Sequence, residues 1–125
     1  CTIHGPPIEA GGYTAGDPVF NGHVADLPTL YVVSVLFTGA DQRHAVRIAA
    51  CESGSLTQGI DVVSPSDDHG RWQHNGRYTA ARLAAVGHPD GDPYDLWVNG
   101  LMTRRLVDQS GGWGAWSCAK KVGTA

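Results

Sequence analysis

The chain of 125 residues has the length of one domain, enough to bury a core and too short for two. Hydrophobic residues at 42%, charged residues at 17%, 17 glycines and 7 prolines describe a compact, turn-rich chain and exclude a coiled coil, a collagen or a disordered polymer. A formal charge of -3 with scattered basic residues supplies no nucleic-acid footprint, and the longest uncharged apolar stretch, residues 27–37, is about half the roughly 20 residues of a membrane-crossing helix.

Residues 1–26 carry Gly5-Pro6-Pro7, Gly11-Gly12, Gly16-Asp17-Pro18 and Asn21-Gly22, turn signals without helical periodicity. They read as a Gly/Pro-rich arm or linker preceding a domain over residues 27–125. The start at Cys1 without Met fits a processed form or a piece of a larger protein. At Asp26 a cap, Pro28 in the first turn and Leu27, Leu30, Tyr31 and Ser34 at helical spacing predict a first helix, ended by Thr38-Gly39. Asp41 is expected to cap a second helix over about 42–51, with Ala45, Ile48 and Ala49 on its apolar face. Glu52 then falls at that helix's C-terminus, before Ser53-Gly54. There the negative end of the helix dipole and apolar neighbours both raise a carboxyl pKa.

Between Ser55 and Ser66 the run Gly59-Ile60-Asp61-Val62-Val63-Ser64-Pro65 reads as a short strand or hairpin. An alanine-rich stretch over 79–86 predicts a third helix ended by Gly87. In Asp92-Pro93-Tyr94-Asp95 the first Asp is expected to cap a fourth helix, with Pro93 at its first position and Asp95 in its first turn. Val98, Leu101, Met102 and Leu106 give that helix its 3.6-residue stripe. The aromatic tail Trp113-Gly114-Ala115-Trp116-Ser117-Cys118 is expected to pack back on the core. Of three cysteines, Cys51 and Cys118 lie in helical or Trp-flanked apolar contexts and are the favoured pair, two free buried thiols being the alternative. Such a bridge points outside the cytoplasm.

The chain has two glutamates, Glu9 in the arm and Glu52, so a glutamate general acid has one credible candidate. Ala45-Val46-Arg47-Ile48-Ala49-Ala50-Cys51-Glu52-Ser53-Gly54 resembles the catalytic-helix signature of the lysozyme-like soluble lytic transglycosylases, in its actinobacterial and phage-tail flavour. His69-Gly70-Arg71-Trp72-Gln73-His74-Asn75 resembles the family's Gly-Leu-Phe/Trp-Gln-x-Asn cleft floor, with Arg71 and His74 standing where apolar residues are usual. Asp92-Pro93-Tyr94-Asp95 followed by Asn99 is similar to its Asp-Pro-x-x-x-x-x-Asn helix start, and Gly112 to Cys118 to its Gly-Trp-x-x-Trp-Ser-Cys ending. Four segments in order, over most of residues 27–118, carry the resemblance.

The resemblance implies a mainly α, α+β lysozyme-like fold with a small hairpin beside a substrate cleft, and cleavage of the β-1,4 bond between N-acetylmuramic acid and N-acetylglucosamine in peptidoglycan. Glu52 is then the general acid/base, as a lytic transglycosylase or a muramidase. The first route needs no second carboxylate, because the muramic acid 6-hydroxyl attacks. A hydrolase needs one, about 5–5.5 Å away as nucleophile or about 6.5–9.5 Å away activating water, and Asp61, Asp67 and Asp68 are the candidates. Gln73, Asn75, Trp72, Asp68 and Tyr94 are the expected sugar-contacting residues, with capping or packing as their ordinary alternatives. The expected partner is the peptidoglycan glycan strand, met from a secreted, wall-associated or virion position. A non-catalytic lysozyme-like module that binds the wall or builds a phage tail is the alternative function. Six histidines lack HExxH or paired Cys/His spacing, and no serine sits in a G-x-S-x-G elbow. No metal and no cofactor is expected.

Overall fold

The computed structural model describes residues 8–54 and 67–123. The expected strand or hairpin between Ser55 and Ser66, with Asp61 in it, and Cys1 lie outside the described residues. The protein is α+β and mainly helical: β1 (Glu9–Ala10), β2 (Tyr13–Thr14), β3 (Pro18–Phe20), β4 (His23–Val24), α1 (Leu27–Leu36), α2 (Ala40–Ser53), β5 (Asp68–His69), β6 (His74–Asn75), α3 (Gly76–Ala85), α4 (Leu96–Ser110) and α5 (Cys118–Lys121).

The segment expected as an arm is, from Ile8 onward, part of the folded body. β1 pairs antiparallel with β2 and β3 with β4, the second pair with a register shift. Gly11-Gly12 and Asn21-Gly22 close the two hairpins with positive φ at both central residues, as a type I′ turn requires. Their neighbours are buried: Ala10, Tyr13 and Ala25 join the core cluster of α1 and α2.

Asp26 caps α1 as expected, its carboxylate accepting from the Thr29 amide at 2.7 Å. α2 starts earlier than expected, at Ala40 with Gly39 as N-cap, and Asp41 lies in its first turn. The Asp41 carboxylate accepts instead from the Trp113 indole N–H at 3.0 Å, so it ties the C-terminal tail to α2 while its charge still favours the helix N-terminus. α3 also starts earlier, because Asn75 at the end of β6 caps it through the Arg77 amide. The cap of α4 is Asp95, which accepts from Val98 N–H; Asp92 instead accepts from the Tyr94 amide in the preceding turn. Pro93 therefore precedes α4, and its carbonyl is freed to meet Asn99.

Leu30, Val33, Phe37, Ala45, Ile48 and Trp72 are the centre of the core, each fully buried. The tail packs back as expected. Trp113 and Trp116 are buried against Phe37 and each other, and Trp116 donates its indole N–H to the Trp72 carbonyl at 2.8 Å. A buried tryptophan N–H left without an acceptor would offset part of the gain from burying the ring, and all three buried indoles have one.

Cys51 and Cys118 form a disulfide across a sequence separation of 67 residues, with Cα atoms 6.0 Å apart. It fastens α5 to the end of α2, next to Glu52. Closing so long a loop removes conformations from the unfolded chain. Replacing both cysteines by serine is expected to cost about 3 kcal/mol, read as a lowered urea midpoint with a steeper slope, because the unfolded chain without the bridge exposes more surface. No helix among the described residues is long and apolar enough to cross a membrane.

Candidate active site

Glu52 lies in the last turn of α2, with Gly54 ending the helix at a φ of 77°. Its carboxyl is half-buried and its pKa is raised: burial is the main cause, and the negative charge of Asp68 adds to it. A backbone hydrogen bond from Cys118 and the charge of Lys121 oppose the shift without cancelling it. Beside the helix end, a carboxylate on a neighbouring hairpin, that of Asp68, makes ionisation of Glu52 costlier.

That hairpin is β5 and β6, in which Asp68 faces Asn75 and His69 faces His74. Asn75 donates its amide N–H to Asp68 Oδ1 at 3.0 Å while its own oxygen caps α3. One side chain thus sets the orientation of Asp68 and the start of a helix. Asp67, the neighbouring candidate, is mostly exposed and lies 2.6 Å from His69 Nε2. Of the two described aspartates proposed from sequence, Asp68 is the one whose charge acts on Glu52.

The connecting turn, residues 70–73, is held by buried groups. Gly70 has a φ of 80°, and a Cβ there would sit 2.5 Å from Asn99 Nδ2, so both conformation and space demand glycine. Asn99, fully buried, accepts from the Trp72 amide and donates to the His69 and Pro93 carbonyls. Gln73 adopts a left-handed φ of 54°, is nine-tenths buried and donates its side-chain N–H to the Gly70 carbonyl. It buttresses the turn. Trp72 corrects the sequence reading outright: its ring is wholly buried with its N–H on the Ala45 carbonyl, so it offers no face to a sugar and instead glues the hairpin to α2. Tyr94 stacks on His69 with ring centroids 5.1 Å apart.

Sequence reasoning missed what Arg71 and His74 do. Arg71 is 2% exposed and pairs with the equally buried Asp26 at 2.5 Å. It also donates to the Ser53 hydroxyl and the Gly54 carbonyl. One guanidinium thereby joins the cap of α1, the end of α2 beside Glu52, and the β5–β6 turn. Burial draws its pKa down, against the Asp26 charge and hydrogen bond that hold it up. The departure from an apolar residue at this position was the available signal, matched by an Asp at a helix start 45 residues away.

His74 is 1% exposed and hydrogen-bonded at both nitrogens. The Thr103 hydroxyl donates to the Asn99 carbonyl, so it accepts from His74 Nε2–H, and Nδ1 accepts from Arg82 at 2.9 Å. This fixes the neutral tautomer, and burial together with the Arg82 charge lowers the pKa to about 3. The unfolded chain takes up this proton near pH 6.5 and the folded one near 3. Stability contributed by neutral His74 is therefore present above pH 6.5 and lost as the pH falls towards 3. The expected loss from this group between pH 7 and pH 5 is about 2 kcal/mol. Urea titrations at the two pH values measure it, and His74→Gln, which offers the same donor and acceptor, is expected to flatten the difference.

Among the described residues no group of three or more His, Cys, Asp or Glu side chains is arranged to hold a metal ion. What the site offers is acid–base chemistry, from one carboxyl biased towards its protonated form and a second carboxylate held close by on a braced hairpin. The chain matches no protein-family model, no curated protein and no solved structure.

Proposed function

We propose that the protein is a peptidoglycan-degrading glycosidase of lysozyme-like fold, with Glu52 as general acid/base on the β-1,4 bond between N-acetylmuramic acid and N-acetylglucosamine. The observation that carries this is the state of Glu52: a half-buried carboxyl at the end of a core helix, its pKa raised by burial and by Asp68. A carboxyl that stays protonated above the usual carboxylate range can deliver a proton to a leaving glycosidic oxygen. The four ordered sequence segments that resemble lytic transglycosylases supply the substrate.

In the reaction, Glu52 gives its proton to the oxygen of the scissile bond as the C–O bond breaks and positive charge grows on the sugar carbon. The carboxylate of Asp68, oriented by Asn75, lies near enough to Glu52 to be felt by it and is suited to stabilise that charge or orient a water. The now ionised Glu52 takes the proton of the attacking hydroxyl. If the attacker is the muramic acid 6-hydroxyl, the product is an anhydro sugar; if it is water, a reducing end. The disulfide supports an extracytoplasmic setting, whether secreted, at the cell wall or on a virion.

Digestion of purified peptidoglycan followed by mass spectrometry tests the reading. Anhydro-muropeptides identify a lytic transglycosylase, and reducing muropeptides identify a muramidase with Asp68 as the residue to examine next. Retained binding to the wall with no released product would overturn the enzyme and leave a wall-binding or tail-structural module.

A further inference from the structure

We propose that the pocket between α3 and α4 binds the terminal carboxylate of a short peptide with small apolar side chains. The pocket encloses about 260 Å³, at the small end of ligand sites. Its polar rim is Tyr78, Arg82, Arg105 and Gln109, and its apolar wall is Ala81, Ala85, Met102 and Leu106. No acidic side chain lines it, in a chain whose net charge is -3.

The two arginines are placed for an anion. Neither forms an ion pair with a carboxylate among the described residues, whereas their neighbour Arg104 is paired with Asp108 at 3.0 Å. Arg82 is already immobilised: one guanidinium nitrogen donates to His74 Nδ1 and the group lies 5.0 Å from the Tyr78 ring centroid. A guanidinium held in this way loses little freedom on binding, and its fork matches a carboxylate. Arg105, exposed on α4, supplies the second charge. The alanine and methionine wall favours a carboxylate attached to methyl-sized side chains over a strongly hydrated polyanion, whose shell it would strip without replacement.

The pocket adjoins the hairpin of the candidate active site, since Arg82 donates to His74 on β6, the strand paired with the one that carries Asp68. Naming the peptide as the alanine-ended stem of a glycan substrate rests on the proposed function; binding of a peptide carboxylate does not.

The test uses the full chain carrying Glu52→Gln, so that no glycan chemistry enters, and follows methyl NMR signals on titration with acetyl-alanyl-D-alanine. Saturable shifts are expected at Ala81, Ala85 and Met102. The C-terminal amide of the same peptide is expected to bind at least about tenfold more weakly, as is the acid to an Arg105→Glu variant. Arg105 is exposed, so that variant retains the fold. No saturable shift by about 10 mM, equal binding of acid and amide, or indifference to Arg105→Glu would each overturn the site. Acetyl-alanyl-L-alanine separates the sources: preference for the D form assigns the ligand to wall stems, and equal binding overturns that source while leaving the carboxylate site standing.

Discussion

Glu52→Gln is expected to lower the rate of peptidoglycan cleavage by about 10²–10⁴, the range associated with one general acid/base. Glutamine keeps the shape and can still accept the backbone hydrogen bond from Cys118, so the loss is chemical. Release of muropeptides per unit time, with products identified by mass, measures it. The parent's pH profile carries a second signature. Because the folded carboxyl titrates above its usual range, activity that needs its proton persists to higher pH than an ordinary carboxyl allows, and falls as pH rises through the raised value.

The same shift has a consequence for stability, of the opposite sign to an ion pair. A carboxyl with a raised folded pKa contributes stability that is complete below its unfolded pKa and lost as pH rises through the folded one. Above that raised value the ionised Glu52 is a cost to the fold, and Glu52→Gln is expected there to melt at the same temperature as the parent or higher. An inactive variant that is also less stable would indicate that this side chain supports the fold.

Arg71→Met is expected to destabilise the protein by about 3–5 kcal/mol, the usual cost of breaking a buried ion pair from one side. The loss comes mostly from what remains: Asp26, 5% exposed, with one oxygen on the Thr29 amide and the other facing the vacated guanidinium site. The Ser53 hydroxyl and Gly54 carbonyl lose their donor as well. Adding Asp26→Asn removes the stranded charge while keeping an oxygen for the Thr29 amide. The double variant is expected to be more stable than Arg71→Met alone, a non-additivity that urea unfolding reads directly as a coupling energy. Arg71→Met within about 1 kcal/mol of the parent would mean that Asp26 is not left stranded and that the pair does not hold the fold. Since this guanidinium also anchors the residues directly after Glu52, cleavage by a still-folded Arg71→Met protein is expected to fall too, by misplacement of the acid and not by loss of a reacting group.

Much of the helical frame was legible from sequence because its signals are local. Asp26 capping α1, the break at Gly54 and the stripe of α4 involve residues within a few positions of each other, and each was read close to where it stands. Errors came where two local signals compete: Asp92 and Asp95 both have capping chemistry, and the turn between them decides which one starts the helix. The hairpins of β1 to β4 carried their turn dipeptides in plain view, but strands of two or three residues are too short to show alternation.

Local patterns along the chain are enough to end a core helix at Glu52 and to favour the pairing of Cys51 with Cys118. A helix end, an apolar stripe and a Gly stop are written within one or two turns. What surrounds that glutamate is set by packing across the fold: Trp72 turned inward, Gln73 and Asn75 bracing their own hairpin, Asp68 lending its charge, and Arg71 and His74 buried with partners 45 and 29 residues away. Those assignments depend on which buried polar group meets which across the core. A desolvated donor must find an acceptor wherever the fold brings one, and that pairing has no signature in the spacing of residues along the chain.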